Sequence, residues 1–234
     1  MSDRPIKVFV GIPSYNGEVR WNLTKILTFA SEKGYLSKTN CQCSSAINCN
    51  FNSLYAQALN HRGAGITHFL LLHADIDIQE KNWVDKMVDL SIQHKADVLS
   101  AVSPIKSAEG LTSTALDEMI GSADRPHIRR LTMTEIMKRP PTWTEDKLLI
   151  NTGCMLVDIT KSWAEDVFFE FEDKLLKDKD GNFYAHFFPE DWNFSRKVRA
   201  AGGSIFATRE VKLHHIGNSS YPNYTEWGTL KEDR

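Results

Sequence analysis

No stretch of this 234-residue chain approaches the ~18 consecutive apolar residues of a membrane-spanning helix. No leader pattern is visible, because Met1-Ser2-Asp3-Arg4-Pro5 runs straight into an apolar strand pattern. A cytoplasmic protein is the expectation, in which the Asn-x-Ser/Thr triplets at Asn22, Asn218 and Asn223 carry no glycan. Repeats and low-complexity tracts are missing, which argues against solenoids and linkers. Excess charge of one sign is missing too: 28 Lys and Arg against 30 Asp and Glu leave a net charge of -2. Nucleic acid and anionic membranes find no global attraction here. The short basic run His127-Ile128-Arg129-Arg130 suits a solvated surface, while Arg125, Arg129, Arg130, Lys138 and Arg139 together leave contact with a phosphate backbone open. Only four cysteines are present. Cys41, Cys43 and Cys49 lie close and Cys154 stands apart, without the paired C-x-x-C spacing of a zinc site, and His61 is a poor fourth ligand. Reduced structural thiols are expected.

What is present is a globular composition, 41% hydrophobic and 25% charged, sufficient for one domain with a substantial core. The first hundred residues alternate strand and helix patterns. Ile6 to Ile12 is an apolar run closed by Pro13 and a polar loop. Leu23, Ile26, Leu27 and Ala30 fall on one helical face before Gly34. A helix is expected over Ser53 to Asn60, a buried strand over Ile66 to Leu72, a helix through Trp83, Val84, Met87 and Leu90, and a strand over Ala96 to Val102. Residues 105 to 147 carry Gly110, Gly121, Pro126, Pro140 and Pro141, and are expected to form a long excursion with one short helix at Met133 to Lys138. Leu148 to Val157 is a strand interrupted by Gly153. Asp191 to Ala201 is a helix stopped at Gly202-Gly203. Short strands follow at Ser204 to Ala207 and Val211 to Leu213. The tail from Asn218, with Tyr221, Tyr224 and Trp227, is expected to pack on the domain or cover the site. This order predicts an α/β fold of Rossmann type: a single domain over residues 1–234, its central, mostly parallel sheet flanked by helices. Ligands of such sheets sit beyond the carboxyl ends of the strands, where residues 13–18 and 73–77 fall.

Three local features have the chemistry of a site. Asp75-Ile76-Asp77 follows an apolar strand. Residues i and i+2 of an extended segment share a face, so both carboxylates are expected at one hard cation, Mn²⁺ or Mg²⁺, carrying a diphosphate. Pro189-Glu190-Asp191-Trp192 opens a helix, where an acidic residue serves either as a partner of the dipole or as a general base. His214-His215-Ile216-Gly217 closes a strand, whose alternation lets only one of the two histidines face a given site. Each feature alone is better explained by a solvated, packed or capping side chain.

Their order along the chain changes that balance. Val8-Phe9-Val10-Gly11-Ile12-Pro13-Ser14-Tyr15-Asn16 resembles the first strand and nucleotide-binding loop of family-2-like GT-A glycosyltransferases. Asn52-Ser53-Leu54-Tyr55-Ala56-Gln57-Ala58-Leu59 is similar to the helix before their metal strand, and Phe69-Leu70-Leu71-Leu72-His73-Ala74-Asp75-Ile76 to the segment bearing their metal motif. Asn151-Thr152-Gly153-Cys154-Met155-Leu156-Val157 resembles their glycine-containing strand near the acceptor. Pro189-Glu190-Asp191-Trp192 resembles their Glu-Asp pair, and Leu213-His214-His215-Ile216-Gly217 their closing histidine-glycine segment. The resemblance implies that Pro13, Ser14, Tyr15 and Asn16 hold the base and ribose, with Asn52, His73 and Ala74 also lining the nucleotide site. It implies Asp75 and His215 as metal ligands, with His73 or Asp77 joining Asp75. It implies Asp191 as the base of an inverting displacement, with Glu190 beside it. Residues 1–102 would then bind a nucleotide sugar, a UDP-sugar first, and residues 103–217 the acceptor, with 218–234 as tail.

The chain departs from the pattern in two places. His73 stands where the family often has an outer Asp, and Phe51 where it often has an arginine. The polar groups of Ser103-Pro104-Ile105-Lys106 and Gly110-Leu111-Thr112-Ser113-Thr114-Ala115 suit acceptor binding. The acceptor is open, a glycan or a modified DNA base, the latter without support from the net charge. Two alternatives remain: a sugar nucleotidyltransferase, against which stands the lack of a Gly-rich, lysine-bearing first loop, and a nucleotide-sugar-binding module without turnover.

Overall fold

The computed structural model describes residues 5–15, 17–18, 21–120 and 127–230. Asn16 and Arg125 lie outside these residues. In chain order the elements are β1 (Val8–Ser14), α1 (Trp21–Thr28), β2 (Leu36–Cys43), α2 (Ile47–Asn60), β3 (His68–Leu72), β4 (Ile76–Ile78), α3 (Trp83–His94), β5 (Val98–Ala101), β6 (Leu111–Ile120) and β7 (His127–Thr132). There follow α4 (Met133–Lys138), β8 (Thr142–Trp143), β9 (Leu148–Leu149), β10 (Cys154–Asp158), β11 (Glu172–Lys177), β12 (Phe183–Phe188), α5 (Glu190–Ala200), β13 (Ile205–Thr208), β14 (Leu213–Ile216) and β15 (Ser220–Pro222).

The fold is α/β with a central, mostly parallel sheet flanked by helices. Seven strands run in the order β2-β1-β3-β10-β5-β13-β8, with only β10 and β8 reversed. Pleating sorts the apolar runs onto two faces. Phe9, Phe69 and Leu71 join Phe51, Leu54 and Tyr55 of α2 and Phe194 and Val198 of α5 on one side. Val8, Val10, Leu70 and Leu72 join Leu23 and Ile26 of α1 and Trp83, Val84 and Met87 of α3 on the other. Both faces are covered, which is why these strands are continuously rather than alternately apolar. Gly11 is required by this packing: a Cβ there would stand 2.8 Å from the Phe69 ring.

The structure adds one element that the sequence reading left unassigned and corrects two expectations. Leu36–Cys43 is a strand, β2, paired in parallel with β1. Cys41, Cys43 and Cys49 are exposed thiols, with only Cys154 in the core. The excursion is largely ordered: β6 pairs antiparallel with β7 and with β9, and Thr132 opens α4 through a reciprocal capping box with Glu135. Among the described residues no helix is long and apolar enough to cross a membrane.

Candidate functional site

The parallel strands β1, β2, β3 and β5 deliver their carboxyl ends to one edge, and β10, running the other way, enters at that edge. A cavity of about 580 Å³ opens there, lined by residues including Pro13, Ser14, Tyr15, Asn50, His73, Ala74 and Asp75. Tyr15 is largely exposed at its rim. Asn50, from the first turn of α2, donates through Nδ2 to the carbonyls of Ser14 and Ser44, both at 3.1 Å. Two carbonyl partners fix which end is the amide nitrogen, so Oδ1 is the buried end without a partner.

After β3 the chain turns, Ile76 N–H donating to the His73 carbonyl at 3.1 Å. The turn breaks the extended alternation expected to put Asp75 and Asp77 on one face. Asp75 faces the cavity, whereas Asp77 lines a separate groove with Asn22, Lys25 and Phe29. Asp77 is therefore not beside Asp75. His73 packs its ring on Phe51 at 5.1 Å, and its Nε2 is buried without a partner. Burial lowers His73 to about 4.

His215 reaches Asp75 from β14, its Nε2 lying 3.4 Å from Oδ2. Its Nδ1 lies 2.6 Å from the Pro104 carbonyl. A carbonyl only accepts, so Nδ1 carries the hydrogen, and in the neutral ring the Nε2 lone pair faces the carboxylate. Two acceptors facing each other call for a cation. The Lys106 ammonium supplies one, ion-paired to the same Oδ2, and the absent side chain of Gly217 makes room, since a Cβ there would stand 2.9 Å from Lys106 Cδ. Burial would raise the Asp75 carboxyl, but a hydrogen bond from His215, which forms when the ring carries a proton on Nε2 as well, and the Lys106 ammonium outweigh it and hold it well below the usual carboxylate range. Asp75 Oδ1 is buried without a partner. An orphaned carboxylate oxygen, an oriented imidazole and a stand-in cation fit a hard divalent ion that takes its remaining ligands from phosphate and water. Among the described residues no cluster of three His, Cys, Asp or Glu forms a closed metal cage.

Opposite, Asn151 Oδ1 accepts from Gly153 N–H at 3.0 Å, and Gly153 accepts from His73 N–H at 2.9 Å. A side chain at 153 would collide with Ser103 Oγ, so glycine is what lets β10 approach the loop after β5.

Glu190 and Asp191 occupy the first turn of α5, where the helix dipole favours negative charge. Asp191 Oδ1 accepts from Trp192 N–H at 2.8 Å. Trp192 is anchored through Nε1 to the Ser113 carbonyl at 2.9 Å and lies under the Arg130 guanidinium at 4.6 Å. Burial and the neighbouring Glu190 push the Asp191 carboxyl well up, and burial raises Glu190. Among the described residues no hydrogen bond or ion pair joins this pair to Asp75.

Two further expectations change. Asn52 is spent on the backbone: it donates to the Phe169 carbonyl at 2.7 Å and accepts from Phe169 N–H at 2.8 Å. It clamps a loop and does not line the cavity. Thr112 is likewise internal, its hydroxyl donating to the carbonyls of Thr114 and Leu131. Two basic residues of the excursion are held by acidic partners within it: Arg129 pairs with Glu135 and Arg139 with Glu145. Asn50 was missed because one amide in a polar segment carries no pattern. Lys106 sits within a segment assigned to the acceptor, and only the fold brings it to Asp75.

No family model matches the chain, and no curated protein matches it. Solved structures are similar to it over most of its length. A197 from STIV is 14% identical, over 98% of this chain and 96% of that one, with a TM-score of 0.58. CMP:2-keto-3-deoxy-manno-octonic acid synthetase complexed with CTP is 10% identical over 86% and 88%, with a TM-score of 0.41. UDP-glucose pyrophosphorylase complexed with UDP-glucose is 8% identical over 90% and 93%, with a TM-score of 0.39. At 14% identity the likeness to A197 is one of fold.

Proposed function

We propose that this chain binds a nucleotide-activated sugar at the strand-end cavity and transfers the sugar to an acceptor hydroxyl. The observation that carries this reading is the facing of Asp75 and His215 across 3.4 Å at the cavity. Asp75 and His215 would hold a divalent ion, Mn²⁺ or Mg²⁺, which when bound neutralises charge on the departing diphosphate. Pro13, Ser14 and Tyr15 would seat the nucleoside, Asn50 Oδ1 accepting a donor from it. Asp191, whose carboxyl is raised and faces Arg130, would take the acceptor proton, since a raised carboxyl is the stronger base once ionised.

A second reading, nucleotidyl transfer on the same sheet, is favoured by one observation. The missing lysine of the first loop has a counterpart in Lys106, which arrives at Asp75 from the loop after β5. In this reading that ammonium would meet a triphosphate.

Thermal-shift titration with nucleotide sugars and nucleoside triphosphates, with and without Mn²⁺, tests both, because a native-state ligand raises the midpoint by mass action. A Mn²⁺-dependent shift with a nucleotide sugar, lost in a folded Asp75→Ala variant, is expected. Release of nucleoside diphosphate on turnover supports sugar transfer, and release of pyrophosphate assigns the second reading. A full shift in Asp75→Ala would remove the metal assignment.

A further inference from the structure

Lys106 Nζ and His215 Nε2 converge on one atom, Asp75 Oδ2. A divalent ion shared by Asp75 and His215 has to enter beside that oxygen. An ammonium resting on the same atom repels it at short range, so the two cations compete for one carboxylate.

The ammonium is the more easily displaced. The side chains of Lys106 and Asp75 are 37% and 33% exposed, and an ion pair this accessible to water contributes little. Among the described residues Asp75 is the one hydrogen-bond or ion-pair partner of that ammonium. His215 is held more firmly, through Nδ1 on the Pro104 carbonyl. The backbone on either side of Lys106 is also fixed. Ile105 N–H donates to the Leu111 carbonyl and Ser107 N–H to the Ile105 carbonyl, both at 2.9 Å. Release of Lys106 is therefore a motion of its side chain alone. The stem runs over Gly217, where a Cβ would stand 2.9 Å from Cδ and 3.4 Å from Cβ of Lys106. A flexible four-carbon stem on an open glycine surface can swing while the loop stays in place. Asp75 lines the strand-end cavity, so an ammonium leaving Oδ2 remains beside the space assigned to the donor.

We propose that Lys106 and the metal alternate on Asp75 Oδ2, and that the displaced ammonium binds the diphosphate of the nucleotide sugar. This rests on the metal assignment made above. Lys106 thereby has two opposite effects. It weakens the binding of metal alone, and it strengthens the binding of metal together with a diphosphate, because the ammonium regains an anionic partner. A lysine that only organised Asp75 would weaken both when removed.

Calorimetric titration of the full chain with Mn²⁺ alone, and with a preformed complex of Mn²⁺ and inorganic pyrophosphate, tests this without turnover. Lys106→Met keeps the stem over Gly217 and removes the charge. It is expected to bind Mn²⁺ roughly tenfold or more tightly than the wild type, and to bind the pyrophosphate complex severalfold more weakly. Lys106→Gln repeats the comparison with a polar, uncharged head, and matching melts confirm folding. Mn²⁺ binding that is equal or weaker in the variants overturns the exchange while leaving the metal assignment in place. Variants that keep their advantage with the pyrophosphate complex overturn the diphosphate contact. Absence of Mn²⁺ binding in the wild type and both variants removes the metal assignment, and this proposal with it.

Discussion

At Glu190 and Asp191 two carboxyls share the first turn of α5; burial makes each a poor anion, and at Asp191 the neighbouring Glu190 adds to it. The folded state holds protons there that the unfolded chain has released by about pH 4. Their contribution to stability is therefore fully present below about pH 4 and is lost as pH rises through the raised folded pKa values. Replacing Asp191 by Asn keeps an oxygen for Trp192 N–H and removes one ionisable group. Asp191→Asn is expected to match the wild type in stability near pH 3 and exceed it at pH 8, by about 1.4 kcal/mol for each unit of the raised pKa it removes. Urea melts at the two pH values check this. The same variant is expected to lose transfer activity, because an amide takes no proton. Equal melts at both pH values would mean that Asp191 ionises freely, and would remove the argument for it as a tuned base.

The Asn52 amide works at the scale of an element. Its two hydrogen bonds to Phe169 tie α2 to the segment before β11, where the Phe169 ring stacks on Phe194 of α5 with centroids 4.4 Å apart. Asn52→Ala leaves a backbone donor and acceptor unpaired and is expected to cost about 2 kcal/mol in denaturant melts. Nucleotide affinity, where measurable, is expected to hold. A selective loss of binding without destabilisation would return Asn52 to the site. This residue marks where the sequence stopped being informative. Its segment matched a helix pattern, and the helix is there, but which way an amide points depends on a partner 117 positions away. The same limit applied to Asp77, where a single turn at residues 73–76 overrode the alternation of an extended chain. Strands buried on both faces, β1, β3 and β5, were legible as apolar runs. Edge and hairpin strands were not. Leu36–Cys43 is polar and half-exposed, and β6 and β7 lie in a segment rich in Gly, Ser, Thr and Pro. Their strand character comes from pairing partners rather than from local propensity. Of the candidate site, Asp75 and His215 were placed by order along the chain, while Asn50 and Lys106 needed the sheet to bring them in.

At the scale of the whole molecule, the segment after β14 locks the site from behind. Asn223 is fully buried. It accepts from Leu213 N–H at 3.0 Å and donates to the carbonyls of Val102 and Val211, both at 3.1 Å. One side chain thus joins the end of β5 to the start of β14, the two segments that carry Lys106 and His215 to Asp75. Nearby, Gly110 and Gly228 cross so closely that a Cβ on either would collide with the backbone of the other's segment. Both have positive φ, 82° and 106°, a region open mainly to glycine. Asn223→Ala leaves one donor and two acceptors buried and unpaired, and is expected to cost about 3 kcal/mol, a fall of roughly 8 °C in Tm for a chain of this length. A general loss of stability would do the same, so a second variant is needed. Val198→Ala creates a cavity in the opposite face of the sheet at a cost of about 2 kcal/mol. The amide of Ile216 donates to the Asp75 carbonyl at 2.9 Å, and its hydrogen exchange reports whether β14 stays on the metal loop. Exchange there is expected to accelerate in Asn223→Ala well beyond what Val198→Ala produces at matched stability. Equal acceleration in the two would show that β14 is held by the core as a whole, and that Asn223 has no particular part in presenting His215 to Asp75.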